Sequence, residues 1–111
     1  MKVRLSPGAV VTQATDKATG VTIHSRCGQI TMNAASLAAA AEVSFTVTND
    51  TVGAADIPVV AIASGATTNS YTADVTAVAA GSFRVQIGNV SAGALAEALV
   101  LNFGVIKGAV G

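Results

Sequence analysis

Apolar and hydroxyl-bearing residues alternate one by one through Val43-Ser44-Phe45-Thr46-Val47-Thr48. Val43, Phe45 and Val47 fall on one side of an extended chain and Ser44, Thr46 and Thr48 on the other, the pattern of a strand with one buried face. The same period returns in Ser82 to Gly88, where Phe83, Val85 and Ile87 oppose Ser82, Arg84 and Gln86. Tyr71 to Ala79 alternates just before it, and Ala80-Gly81 between the two runs is short enough for a hairpin turn. A last strand is expected in Leu99 to Lys107, with Leu101, Phe103 and Val105 on one side. The three phenylalanines, Phe45, Phe83 and Phe103, are therefore expected to be buried near one another.

Shorter runs fill in the pattern. Val21-Thr22-Ile23 and Gln29 to Met32 alternate, with Arg26-Cys27-Gly28 between them as a turn or bulge. Ile57 to Ala63 is continuously apolar, which suits either a strand buried on both faces or an interface strand; Pro58 argues against a mid-sheet position for its start. Asn49-Asp50, Ser64 to Ser70 and Asn89 to Gly93 carry loop and turn chemistry. Ala34 to Glu42 favours helix by propensity, but such a short segment is not stable alone and a loop is expected there. Ala92 to Leu99 has the same ambiguity. Short strands with turn signals every ten residues or so predict an all-β fold, a small antiparallel β-sandwich of jelly-roll or Ig-like type. Residues 1–19 are weakly patterned and read as an extended N-terminal arm; residues 20–111 read as one sandwich domain. The arm, with Val10 and Val11 beyond Pro7-Gly8, is expected to run extended against a second chain, adding a strand to an exposed sheet edge.

Composition narrows the function classes. The 111 residues are 51% hydrophobic, yet there is no Trp, one Tyr and three Phe. The apolar content is mostly Ala and Val, so a thin core completed by a partner is expected. Charged residues make up only 11% of the chain, six basic and six acidic, scattered without a run of either sign. A surface with so little charge favours self-association or docking. No cluster of cations or stacking aromatics suits a nucleic acid partner. No apolar stretch is long enough for a membrane helix, and no signal-type h-region follows Lys2 and Arg4. Cys27 is a lone cysteine, consistent with folding in a reducing cytoplasm.

The residues offer little for catalysis. A Ser-His-Asp site or a His-ligated metal would have to use His24, the single histidine, and no cysteine or carboxylate stands at ligand spacing from it. Cys27 lies three residues from His24 but lacks neighbours that would lower its pKa. Asp50 and Asp56 flank a loop and read as solvated turn carboxylates, since Ca²⁺ requires more oxygens. Arg84, on the polar side of its strand, is expected to meet a cross-strand carboxylate or a neighbouring subunit. No catalytic, cofactor-binding or metal-ligating residue is assigned, no cofactor is expected, and the chain reads as a non-enzyme.

Three stretches together resemble small bacteriophage virion proteins: GVTIHSRCGQITM (Gly20 to Met32), VSFTVTND (Val43 to Asp50) and TAVAAGSFRVQIGNVSAGALAEALVLNFGVIK (Thr76 to Lys107). The resemblance implies a virion structural protein with a sandwich-like fold, assembled in the host cytoplasm and carried as a homotrimer on the capsid surface. Two roles follow from it. One is a capsid decoration (cement) protein that binds the major capsid protein. The other is a head-fibre or tail-fibre module that binds a host receptor; for a glycan its one aromatic candidate is Tyr71.

Overall fold

A computed structural model describes residues 9–108. The described chain is all β, with eight strands: β1 (Ala9–Thr12), β2 (Val21–Thr22), β3 (Cys27–Thr31), β4 (Glu42–Thr48), β5 (Ile57–Ser64), β6 (Tyr71–Ala79), β7 (Ser82–Asn89) and β8 (Val100–Ile106). They form two four-stranded sheets, sheet A in the order β1-β3-β8-β5 and sheet B in the order β2-β4-β7-β6. The expected sandwich is present, but its sheets are mixed: β1 pairs parallel with β3 and β2 with β4, while every other pairing is antiparallel.

The two parallel pairs follow a regular connectivity: from β1 to β6 the chain alternates between the sheets. Neighbours an odd number of strands apart run antiparallel, and neighbours two apart run parallel. β1 and β3 are separated by β2 in the opposite sheet, and β2 and β4 by β3. Among the described strands only β6 and β7 form a hairpin within one sheet. Their connection is Ala80-Gly81, as the sequence predicts, with Gly81 at φ 87°. A Cβ there would meet nothing within 4 Å, so backbone conformation alone calls for glycine.

The core lies between the sheets. Phe45 and Val47 of β4, Phe83, Val85 and Ile87 of β7, and Leu101 and Phe103 of β8 are all buried. Phe83 and Phe103 meet across the sheets with ring centroids 5.9 Å apart, and Phe45 belongs to the same cluster. The core is not built from alanine: every buried hydrophobic side chain is Val, Ile, Leu, Met or Phe. The described alanines are exposed or partly buried. Low aromatic content thus leaves a substantial core and an alanine-rich exterior.

The stretch read as an arm divides in two. Residues 1–8 lie outside the described residues, whereas residues 9–19 belong to the sandwich. β1 does add a strand to a sheet edge, but the edge is that of β3 in its own chain. The buried Gln13 then fixes the following loop: its Nε2 donates to the carbonyls of Lys17 and Thr19, and its Oε1 accepts from Asn33 N–H. Lys17 is also buried, its ammonium donating to the carbonyls of Asn33 and Glu97. Burial lowers its pKa, and the nearby Glu97 carboxylate partly opposes that shift.

Both helix-prone segments are loops. They touch through a two-residue antiparallel bridge between Leu37 and Leu95, with backbone bonds of 2.8 and 3.0 Å. Burial of Leu37 outweighs local helix propensity. The Arg26-Cys27-Gly28 turn is also displaced, since Cys27 already begins β3.

Two buried asparagines hold the ends of the β4–β7 ladder. Asn49 N–H donates to Gly81 O, and Asn89 N–H to Ala41 O. Each side chain then folds its own loop. Asn49 Oδ1 accepts from Thr51 N–H and hydroxyl, and its amide donates to Ser25 O. Asn89 Oδ1 accepts from Ser91 N–H and hydroxyl, and its amide donates to the carbonyls of Leu37 and Gly93. Among the described residues no buried side-chain polar atom lacks a partner.

Candidate functional site: the outer face of sheet A

The residues weighed for chemistry do not converge. His24 Nδ1 accepts the Asp50 backbone N–H at 3.0 Å and lies 3.2 Å from the Asp50 carboxylate; both side chains are well exposed. Cys27 is exposed on β3. Asp56 is held elsewhere. One oxygen accepts Lys107 Nζ at 2.6 Å and Gly53 N–H at 2.7 Å, and the other accepts Gly108 N–H at 2.9 Å. The Lys107 hydrogen bond, followed by those from Gly108 and Gly53, lowers its pKa to about 2. Asp56 thus locks the end of β8 onto the β4–β5 loop and is not the solvated turn carboxylate expected from the sequence; its side chain is almost fully buried. Among the described residues no three His, Cys, Asp or Glu side chains group as a metal site would require.

Tyr71 is likewise committed. Its hydroxyl donates to Glu97 Oε1 at 2.8 Å, and the same carboxylate accepts from Thr67 N–H and Thr67 hydroxyl. Burial and the adjacent carboxylate push the phenol up to about 12. The Glu97 carboxyl is held below its ordinary range, chiefly by the Tyr71 hydrogen bond. This cluster ties the β5–β6 loop to the β7–β8 loop, and the ring is half-buried.

Three shallow depressions, of about 200, 210 and 230 Å³, lie beside Arg84, around Tyr71 and between β5 and β6. They are smaller than typical ligand pockets, and none has more than one charged residue in its lining. Arg84 is exposed opposite Thr46 on β4 and Ala77 on β6, with no carboxylate across either pairing, so the cross-strand partner expected for it is not there.

The distinctive surface is an outer sheet face. The strands of sheet A read AVVT, CGQIT, VLNFGVI and IPVVAIAS, without one charged residue. Sheet B carries Glu42, Asp74 and Arg84 on its outer side. Strand register arranges the outer residues of sheet A in rows. One row runs Val10, Gln29, Asn102, Ala61 across all four strands; the next runs Cys27, Gly104, Val59; Ile106 stands opposite Ile57 beyond it. Val10 is 67% exposed, Ile57 and Ile106 54%, and Val59 47%, so four of the five large exposed hydrophobic residues among those described share this face. At its centre Gln29 Nε2 donates to Asn102 Oδ1 at 2.9 Å.

β5 is not buried on both faces, one of the two readings of Ile57 to Ala63. Pro58, Val60 and Ile62 turn toward the core, while Ile57, Val59, Ala61 and Ala63 are exposed. The strand is the sheet edge, which accommodates Pro58 without a lost ladder bond. The rest of the face is less obvious from sequence, because it combines four segments distant along the chain; the signal is the absence of charge from every strand of one sheet. Comparisons of the chain with protein-family models, with curated proteins and with solved structures returned no match.

Proposed function

We propose that this protein is a non-enzymatic structural module that works by packing against other protein chains. The observation carrying the reading is the uncharged, hydrophobic outer face of sheet A. Soluble surfaces ordinarily intersperse charges, and an extended apolar patch marks an interaction site. The described cations add support. Lys17 is buried, Lys107 is paired with Asp56, and the two exposed arginines stand apart, Arg26 before β3 of sheet A and Arg84 on β7 of sheet B, so the described cations do not line up as a basic stripe.

Within that reading, we propose a bacteriophage capsid decoration protein that binds the outside of the major capsid lattice as an oligomer, a homotrimer by its resemblance to small virion proteins. The committed Tyr71 hydroxyl makes the receptor-binding alternative less suited to this chain. The test is co-sedimentation of purified protein with capsids stripped of decoration, run beside binding to host cells. Saturable binding to capsids is expected. Binding to cells alone would replace the decoration role with a receptor-binding one.

A further inference from the structure

We infer that the outer face of sheet A is a self-association surface, covered in the assembled protein by a second copy of this chain. The inference rests on the assembly reading above and names the partner.

Charge selects the occupant. A partner presenting ionic groups to this face would lose their hydration and gain no counter-charge, because none of the four strands supplies one. A second copy brings an equally uncharged surface. The amide row suits like against like as well. Gln29 and Asn102 satisfy each other through one hydrogen bond and still hold spare N–H donors and acceptor lone pairs. A second pair of amides offers the same combination, so the centre of the face can leave water without orphaned polar groups.

Shape and area set the strength of the contact. Gly104 carries no side chain between Cys27 and Val59, next to Ile57 and Ile106, so the face is lowest there. Strands of four, five, seven and eight residues, at ~3.3 Å per residue and ~4.8 Å between strands, give a face of about 400 Å². Two such faces together bury about 800 Å², the size of a weak, transient interface rather than a permanent one. Self-association is therefore concentration-dependent. β5 extends the same uncharged surface around the sheet edge. Face-to-face packing sets the same patch against itself, gives a two-fold pair and removes Ile57, Val59 and Ala61 from water; a trimer ring needs the β5 edge as a second, different contact.

The experiment is sedimentation equilibrium of the full chain from 1 µM to 1 mM, for the natural protein and three variants. Ala61→Lys places a charge on the face. Gln29→Glu does so with a near-isosteric side chain, which keeps the test open if the lysine disturbs folding. Thr76→Lys places the same charge on exposed β6 of sheet B. Far-UV circular dichroism checks that each variant is folded. The natural chain and Thr76→Lys should associate alike, and both face variants should associate about tenfold or more weakly. Raising the salt from ~0.05 to ~0.5 M should leave natural association undiminished, since no ion pair spans the interface. A natural chain that is monomeric at 1 mM, or face variants that associate normally, overturns the inference. Capsid binding by a monomer through this face would overturn it while sparing the decoration reading, whereas self-association without capsid binding would do the reverse.

Discussion

Replacing Asn89 should expose how the sandwich closes its loops. The side chain is 1% exposed and makes four hydrogen bonds, at 2.9 Å to Leu37 O, 2.9 Å to Gly93 O, 2.9 Å from Ser91 N–H and 2.7 Å from the Ser91 hydroxyl. Alanine removes all four. At roughly 0.5–1 kcal/mol net for each, the direct loss is about 2–4 kcal/mol. The upper figure is softened because Leu37 O keeps a bond from Leu95 N–H and Gly93 O keeps one from the Ser91 hydroxyl. The expected cost of Asn89→Ala is therefore about 2–3 kcal/mol. Asn89→Asp should cost at least ~1 kcal/mol more, although it is nearly isosteric: it replaces both donors with a carboxylate oxygen facing two carbonyls in a dry site. Asn102→Asp, on the exposed face, should stay within about 0.5 kcal/mol because the carboxylate still accepts from Gln29. Urea unfolding followed by circular dichroism, at protein concentrations low enough to keep the chain monomeric, measures all three. A loss below 1 kcal/mol for Asn89→Ala, or an aspartate better tolerated than alanine, would refute the role assigned to this side chain.

Three further predictions concern the frame. Phe83→Ala should cost about 3–5 kcal/mol in the same assay, because Phe83 is 2% exposed and packs on Phe103; a loss under 1 kcal/mol would mean the two sheets do not meet there. Asp56, with its folded pKa near 2 against an ordinary 3.8, contributes stability that is complete above about pH 4 and is lost as pH falls toward 2. The stability gap between the natural chain and Asp56→Asn should shrink across that window, and a pH-independent gap would contradict the Lys107 and backbone contacts. Ala40 adopts φ 61°, so Ala40→Gly should stabilise by about 0.5–1 kcal/mol, backbone strain outweighing the extra unfolded-state entropy of glycine; a lower melting temperature would contradict that backbone conformation.

The strands that bury one face were legible because their side chains carry the period of the sheet. β4, β7 and β8 bury the phenylalanines that their alternation predicts. The β6–β7 hairpin was legible for a local reason, a two-residue Gly-bearing connection. β1 was not, since Ala9–Thr12 has apolar residues on both sides and its partner, β3, is fixed only by the tertiary fold. Gln13 and Lys17 carry no local signal of burial in the sequence. Their burial depends on backbone groups brought from distant segments, the Asn33 N–H for Gln13 and the carbonyls of Asn33 and Glu97 for Lys17. Core composition misled for a related reason: alanine raises the apolar content of the chain without entering its interior. The candidate surface was partly visible in Ile57 to Ala63, but the register joining it to Val10, Gln29, Asn102 and Ile106 is not a local property.

Covering of the sheet A face is open to direct measurement through Cys27, the single cysteine, which is exposed beside Gly104 on that face. Its alkylation by a small maleimide can be timed in dilute monomer, in concentrated protein and on saturated capsids. Protection follows the fraction of chains assembled, so with nine-tenths assembled the rate should fall about tenfold, while a cysteine placed at Thr76 in a Cys27→Ser background keeps its monomer rate. Equal Cys27 rates in all three states, alongside demonstrated assembly, would contradict the account, because the chains would then be meeting through some other surface.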